Sequence, residues 1–193
     1  LFGHWLASSA TEAEWDAKLL SNLFVSTETD WPSSENQATV RMFSIDASKG
    51  RHVHKGDYSA IVCLTQTGDL GFVDADIRRR SPSQIVEDLF LFCDRPHQKI
   101  RSGDLIGIES LQFQELFRSL IYLHAESHPD FALSKYLLAG NPLIPVEDVL
   151  AKPMRIRRLS PMIQERRFRF ANNPGTMLLV SQLRQFDGIQ AKG

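Results

Sequence analysis

Hydrophobic and polar residues alternate in three consecutive stretches of the chain, at residues 40–46, 58–65 and 70–76. A period of two residues places alternate side chains on opposite faces and is typical of β-strands. Residues 67–69, Thr-Gly-Asp, separate the second stretch from the third and have the composition of a tight turn. The pattern therefore predicts three consecutive strands, each antiparallel to the one before it.

After these strands the apolar residues adopt helical spacing, with short strands between the helices. The segment 81–84, Ser-Pro-Ser-Gln, predicts a helix start because it combines an N-cap serine, a proline at the first helical position and a glutamine that closes a capping box. The later predicted elements are a strand at 104–109, a helix with an apolar face from Phe113 to His124, a turn at Asn141-Pro142, a strand at 143–146, and helical segments at about 152–166 and 175–186 around the short run 168–170. This order predicts an α/β fold in which helices flank a sheet.

The N-terminal part of the chain differs in composition from the rest. Residues 11–14, Thr-Glu-Ala-Glu, form a capping-box pattern, and apolar residues follow at helical spacing as far as about Phe24. Residues 26–39 have the composition of a linker. We therefore expect an acidic amphipathic helix and a linker at 1–38, followed by the main domain at 39–193.

Composition and charge narrow the class of protein. The 193 residues are 42% hydrophobic and 23% charged, which is typical of one substantial globular domain. A net charge of −1 excludes a generally basic nucleic-acid coat, so any contact with DNA must come from local patches. Cys63 and Cys93 lie in apolar runs and are expected to be reduced core residues. Since the sequence shows neither a membrane span nor a secretory signal, we expect a protein that is not secreted and has no membrane contact.

Three acidic residues lie at the ends of the predicted strands. Asp46 ends the first strand, Asp57 precedes the second, and Glu109 ends the fourth. Carboxylates that converge on one edge of a sheet repel one another unless cations lie between them. The arrangement predicts a divalent-metal site, and oxygen ligands favour Mg²⁺ or Mn²⁺. Phosphodiester hydrolysis is a common use of such a site.

Two groups of basic residues are candidates for contact with phosphates near these acids. The first group lies in the loop between the first two acids and comprises Lys49, Arg51 and Lys55. The second lies in the basic region 151–170, where the candidates are Lys152, Arg155 and Arg158. The alternative interpretation of the second group is the solvated face of a helix.

Ordinary structural roles also explain several of these charged residues. An acid at a strand end is often a turn former or a helix cap, and Asp57 would serve equally well as the cap of a hairpin. Asp74 and Asp76 alternate with apolar residues along the third strand, which indicates a solvated face. The run of arginines at 78–80 is interpreted as a surface run.

Several separate strings resemble one protein family. Residues 46–50, Asp-Ala-Ser-Lys-Gly, together with 56–60, Gly-Asp-Tyr-Ser-Ala, resemble the first acidic motif of the nuclease domain of phage terminase large subunits. Residues 107–110, Gly-Ile-Glu-Ser, are similar to the second motif of that family, and 182–186, Gln-Leu-Arg-Gln-Phe, resemble the helix that leads into its third. The element order is also that of the ribonuclease H-like fold, a mixed sheet of three antiparallel strands followed by alternating strands and helices.

The resemblance implies a metal-dependent endonuclease that cuts concatemeric double-stranded viral DNA. In this family two Mg²⁺ or Mn²⁺ ions bind to the acidic motifs, so Asp46, Glu109 and Asp57 are the expected metal ligands and catalytic residues. The implied partners are the terminase ATPase domain, the small terminase subunit and the portal protein. The implied location is a packaging complex in the host cell cytoplasm.

The chain also departs from the family pattern. The third acidic motif of the family is not found in 187–193 and is expected beyond Gly193. No phosphate-binding Gly-x-x-x-x-Gly-Lys-Ser/Thr loop occurs, so residues 1–38 are expected to be the junction to an ATPase domain. Two alternatives stay open, namely another ribonuclease H-like nuclease such as a junction resolvase, and a non-catalytic ribonuclease H-like module that docks DNA or the portal.

Overall fold

The computed structural model describes residues 13–32, 39–47, 58–109, 114–147 and 150–186. Within these residues the chain forms seven strands and seven helices in mixed order. The strands are β1 (Phe24–Val25), β2 (Val40–Asp46), β3 (Ser59–Thr67), β4 (Leu70–Arg78), β5 (Leu105–Glu109), β6 (Ile144–Val146) and β7 (Phe168–Ala171). The helices are α1 (Ala17–Ser21), α2 (Pro82–Cys93), α3 (Gln114–Ser127), α4 (Ala132–Leu138), α5 (Lys152–Arg157), α6 (Ser160–Gln164) and α7 (Pro174–Arg184).

The strands form one mixed sheet in the order β1-β7-β4-β3-β2-β5-β6. β3 is antiparallel to both β2 and β4, whereas β5 is parallel to β2 and β6 is parallel to β5. On the other side, β7 is parallel to β4 and β1 is parallel to β7. This arrangement confirms the predicted ribonuclease H-like mixed sheet flanked by helices. As a consequence, β2, β4, β5 and β6 all end at the same edge of the sheet.

The sheet separates two hydrophobic clusters. In the first cluster, on one face, residues of α2, α3 and α4 pack against strand residues such as Ile45 and Ile108. In the second cluster, on the other face, residues of α6, α7 and the N-terminal segment pack against β4 and β7. Cys63 and Cys93 are buried free thiols, which confirms the sequence-based prediction, and burial raises the pKa of the Cys63 thiol to about 12.

The N-terminal segment contributes to this sheet in a way the sequence did not indicate. The predicted helix as far as Phe24 is wrong, because α1 ends at Ser21 and Phe24 begins β1, which pairs with β7. Asp16 is the N-cap and accepts hydrogen bonds from the backbone N–H groups of Lys18 and Leu19 at 2.8 and 2.9 Å. The capping box at 11–14 lies partly outside the described residues. The role of 1–38 as a junction to a further domain stays a prediction.

Two other helical predictions need correction. The predicted segment at 152–166 is two short helices, α5 and α6, with Pro161 in the first turn of the second. Helix α4 was not predicted from the sequence, and it begins after Phe131 without a side-chain cap. Without a capping signal, α4 depends on burial of Leu133, Tyr136 and Leu137 for its place in the fold.

Asp74 and Asp76 are buried in the centre of the sheet, so the predicted solvated face is wrong. The carboxylate of Asp74 accepts hydrogen bonds from Arg95 and Asn173 at 2.8 and 2.7 Å, and lies 2.8 Å from Nε2 of His97. Burial alone would raise the pKa of Asp74, but the hydrogen bonds from His97, Arg95 and Asn173 outweigh it and lower the pKa. This face of β4 therefore carries a buried ionic network, although the sequence pattern predicted that it would be exposed to solvent.

Asp76 belongs to the same network. It forms ion pairs with Arg78 and, at 3.2 Å, with Arg80. Burial would raise the pKa of Asp76, but the Arg78 hydrogen bond and the charges of Arg80 and Arg78 together lower it. Arg80 is itself 4% exposed, so within the run 78–80 the surface interpretation is wrong for this residue.

The low pKa of Asp74 predicts acid sensitivity of the fold. A carboxyl whose pKa is lower in the folded than in the unfolded state stabilises the fold above the unfolded pKa, and this stabilisation is lost as the pH falls through the folded pKa. We expect the free energy of unfolding, measured by urea denaturation, to decrease below about pH 5. Asp74→Asn should be less stable at neutral pH but should lose less stability on acidification.

The matched control for this prediction is Asp69→Asn in the exposed turn between β3 and β4. It should leave both the stability and its dependence on pH close to those of the wild type. If Asp74→Asn kept the pH dependence of the wild type, Asp74 would not be the source of the acid sensitivity.

Helix α7 begins in direct contact with the backbone of β4. Oγ1 of Thr176 accepts a hydrogen bond from the Ala75 N–H at 2.9 Å, and Asn173 caps the helix by accepting from the Thr176 N–H at 3.0 Å. A Cβ atom at Gly175 would lie 2.2 Å from the carbonyl oxygen of Ala75. Only glycine therefore allows this approach of helix to strand.

Gly175→Ala should consequently separate α7 from β4. We expect a loss of about 3 kcal/mol in the free energy of unfolding, at the upper end of overpacking effects, because the clash is with backbone. Met177→Ala is the control on the same helix, since that side chain is 49% exposed, and it should change stability little. Thermal or urea denaturation measures both, and equal stabilities for the two variants would contradict the packing argument.

Candidate active site

Asp46 and Glu109 lie side by side at the edge of the sheet where β2 and β5 end. These strands are parallel neighbours, and Ile45 is paired with Ile108. The next residue of each strand is an acid, so the backbones that carry the two acids are about 4.8 Å apart, the spacing of neighbouring strands. Because Ile45 and Ile108 point into the first cluster, the two carboxylates point to the opposite face.

The two acids line one cavity of about 370 Å³ on that face. Its lining comes from β2, β5, β6, α5 and Leu159, the residue directly before α6. The lining residues are Ser44, Asp46, Glu109, Val146, Lys152, Arg155, Ile156 and Leu159. The volume is in the range of small ligand clefts.

Helix α5 brings positive charge to the acids. Ile156 and Leu159 pack against the second hydrophobic cluster and so fix the position of this part of the chain. Lys152 and Arg155 are three residues apart and therefore lie on the same side of the helix, which faces the cavity. The cavity thus combines two carboxylates with two basic side chains, the pairing expected where a cation and a phosphate bind together.

Gly107 shapes the floor of the cavity between the acids and β6. It is paired with Ser44 on one side and with Ile144 on the other. A Cβ atom at Gly107 would lie 2.6 Å from Cγ2 of Val146, which shows that the Val146 side chain lies over this glycine. A larger residue at 107 would push Val146 away and change the wall of the cavity.

The structure brings together four of the nine candidate site residues. Asp46, Glu109, Lys152 and Arg155 line the same cavity. Arg158 is exposed at the C-terminal end of α5. The remaining candidates, Asp57, Lys49, Arg51 and Lys55, lie outside the described residues.

The donor set fits a hard divalent cation. Asp46 and Glu109 offer carboxylate oxygens on one face, which are the ligands that Mg²⁺ and Mn²⁺ prefer. Within the part of the chain that the structure describes, no group of three or more His, Cys, Asp or Glu residues is placed to hold a metal ion. The described residues therefore supply part of a metal site, and the predicted ligand Asp57 is not among them.

The other walls of the site were not predicted from the sequence. Ser44 lies two residues before Asp46, so strand periodicity could have placed it on the same face. Val146, Ile156 and Leu159 carry no such signal, because their positions depend on how β6 and α5 pack in three dimensions.

Among the described helices, none is both long enough and apolar enough to cross a membrane.

Comparison with known proteins identifies the fold. No family model matches the sequence, and no curated protein matches it. The structure is similar to the human cytomegalovirus terminase nuclease domain, solved after a manganese soak with an inhibitor bound, with a TM-score of 0.59 and 7% identity over 90% of this chain and 86% of that one. It is also similar to the large terminase of a thermophilic bacteriophage in complex with ADP, with a TM-score of 0.50 and 10% identity over 84% of this chain and 33% of that one.

These similarities confirm the predicted resemblance to terminase nuclease domains at the level of the fold. The chain covers most of the cytomegalovirus nuclease domain but about a third of the bacteriophage large terminase. Sequence identity is low in both cases, so the activity, substrates and partners of those proteins do not transfer to this chain by similarity alone.

Proposed function

We propose that this chain is the metal-dependent endonuclease domain of a viral DNA-packaging terminase large subunit, which cuts concatemeric double-stranded DNA. The observation that carries the proposal is the common cavity of Asp46 and Glu109, with Lys152 and Arg155 beside them. The fold supports it, because the structure is similar to a terminase nuclease domain over 90% of the chain.

In this proposal each side chain of the cavity has a defined role. Asp46 and Glu109 hold two Mg²⁺ or Mn²⁺ ions, with Asp57 as a further ligand and a final acidic motif beyond Gly193. When bound, such ions activate the attacking water and stabilise the leaving oxygen. Lys152 and Arg155 bind and orient the phosphate at the acids by donating hydrogen bonds to its oxygens.

Manganese in the crystals of the similar cytomegalovirus nuclease domain supports a divalent cation as the ligand. Further phosphate contacts are assigned to Arg158 and to the loop residues Lys49, Arg51 and Lys55. Phosphate contacts carry no sequence information, so cleavage should be largely independent of sequence and DNA binding should weaken steeply with salt. The ATPase domain, the small terminase subunit and the portal would then direct where the domain cuts in the cytoplasm of the host cell.

Conversion of supercoiled plasmid to nicked and linear forms tests the proposal. We expect conversion with Mg²⁺ or Mn²⁺ and none with EDTA. Cleavage of branched DNA alone would indicate a junction resolvase instead. Binding of DNA without cleavage, in this chain and in one extended past Gly193, would indicate a non-catalytic docking module. Cleavage in the extended chain alone would support the predicted final acidic motif.

A further inference from the structure

Tyr58 and Arg79 lie on the same face and the same edge of the sheet as Asp46. Antiparallel pairing places Ala60 opposite Asp46, and Ile77 opposite Ala60. Paired residues of neighbouring strands share a face, and so do residues two apart along one strand. Tyr58 precedes Ala60 by two residues and Arg79 follows Ile77 by two. Both residues lie one position outside their strands, and continued alternation extends the face that carries the Asp46 carboxylate to their side chains.

The two side chains are in contact with each other at the surface. Cζ of Arg79 lies 4.7 Å from the centroid of the Tyr58 ring. Tyr58 is 42% exposed, and Arg79 is exposed as well. The ring attracts the cation electrostatically, so it restricts the position of the guanidinium.

The neighbouring arginines lie on the other face of the sheet. Arg78 forms an ion pair with the buried Asp76, and Arg80 is buried with its Nη1 atom 2.7 Å from the Asp88 carboxylate. Both of these contacts lie on the α2 side of the sheet. Within the run 78–80, Arg79 is thus the residue that continues the Asp46 face.

We propose that Tyr58 and Arg79 form a second phosphate subsite for the DNA substrate, on the side of Asp46 that is away from Glu109. The inference rests on the proposed nuclease function and extends it. Arg79 lies two strands across the sheet and two residues further along it than Asp46, so their Cα atoms are about 12 Å apart. This distance corresponds to about three base-pair steps along one DNA strand. Arg79 donates to a phosphate about three steps along the strand from the one at the acids, and the Tyr58 ring holds Arg79 in place.

DNA binding at a series of salt concentrations tests the subsite. The probe is a fluorescent blunt-ended duplex without branches, measured by anisotropy in EDTA so that binding is separated from cleavage. Arg79→Ala should weaken binding about tenfold and should lower the slope of log K against log salt by about 1. Tyr58→Ala should weaken binding to a smaller extent, whereas Tyr58→Phe should bind as the wild type does because the ring is retained.

A double-variant cycle separates positioning from general folding effects. If Tyr58 acts through Arg79, Tyr58→Ala should have no further effect in the Arg79→Ala background. Arg118→Ala on α3 is the matched control, because that helix covers the opposite face of the sheet, and it should leave binding and slope unchanged.

The outcomes distinguish this inference from the function on which it rests. An unchanged affinity and salt slope in Arg79→Ala, in a protein that still cuts plasmid, would overturn the subsite alone. Equal losses in Arg79→Ala and Arg118→Ala would overturn it as well, since the effect would then be one of total charge. A wild-type protein that neither binds nor cuts DNA would overturn both proposals.

Discussion

Asp46→Asn is expected to reduce metal-dependent DNA cleavage by at least about a thousandfold, because stabilisation by a bound metal contributes several kcal/mol and each 1.36 kcal/mol is a factor of ten in rate. Glu109→Gln should have a comparable effect. Both changes keep the size and shape of the side chain and remove the charge that binds the cation. Plasmid cleavage followed over time in Mg²⁺ and in Mn²⁺ measures the loss.

Matched substitutions at exposed positions make this prediction specific. Asp69→Asn in the turn after β3 and Glu126→Gln on α3 are chemically identical changes outside the cavity, and both variants should cut DNA at the wild-type rate. The active-site variants should also melt at or near the wild-type temperature, because Asp46 is exposed and Glu109 half-buried. Equal cleavage by the wild type and both active-site variants would show that the residues are wrongly assigned.

Asp104→Ala is expected to have the largest effect on stability. Arg41 and Asp104 are both almost fully buried at the starts of β2 and β5, with Nε–Oδ1 and Nη2–Oδ2 distances of 3.1 and 2.8 Å. Loss of one partner leaves a buried charge uncompensated, which costs about 3–5 kcal/mol. Because this pair joins the strands that carry the candidate acids, its loss should also weaken the alignment of the site.

Urea denaturation of paired variants tests the explanation as well as the size of the effect. Arg41→Met combined with Asp104→Ala removes both charges, so it should be more stable than Asp104→Ala alone. Lys99→Ala breaks an exposed pair with Asp94 at 3.7 Å and should cost less than about 1 kcal/mol. If Asp104→Ala and Lys99→Ala had equal stabilities, the buried pair would not hold these strands together.

The part of the fold that could be predicted from sequence is the part that local patterns determine. Alternation of apolar residues predicted β2, β3 and β4, and a capping box with proline predicted the start of α2. β1 and β7 could not be predicted as partners, because Phe24 and Phe170 are far apart in sequence and pair only in the folded chain. The start of α1 was missed for a different reason, because the local cap at Asp16 starts the helix later than the capping-box pattern at 11–14 indicated.

Alternation of apolar and polar residues also fails to predict which side chains are exposed where a polar residue has buried partners. Asp74 follows the pattern of a solvated strand face, yet Arg95, His97 and Asn173 surround it. No local signal connects Asp74 with Asn173, which lies 99 positions further along the chain. Burial of a charge depends on such distant partners, so it becomes visible only with the three-dimensional structure.

For the candidate site, the residues at strand ends could be placed from the sequence, whereas those on helices could not. The placement of Asp46 and Glu109 follows from the rule that parallel strands end at one edge of a sheet, together with the element order. The approach of Lys152 and Arg155 depends on the packing of Ile156 against the second cluster, which charge patterning alone cannot show. The relation of Arg79 to Asp46 required the register of two strand pairs.

Direct observation of the metal is the most decisive measurement. Crystals of the protein soaked in Mn²⁺, with and without a short DNA duplex, would be measured at a wavelength where manganese scatters anomalously. We expect an anomalous peak within coordination distance of both the Asp46 and Glu109 carboxylates, and no such peak in crystals of Asp46→Asn. Manganese bound elsewhere, or no peak at these two residues even with DNA present, would contradict the assignment of a metal-dependent active site to this cavity.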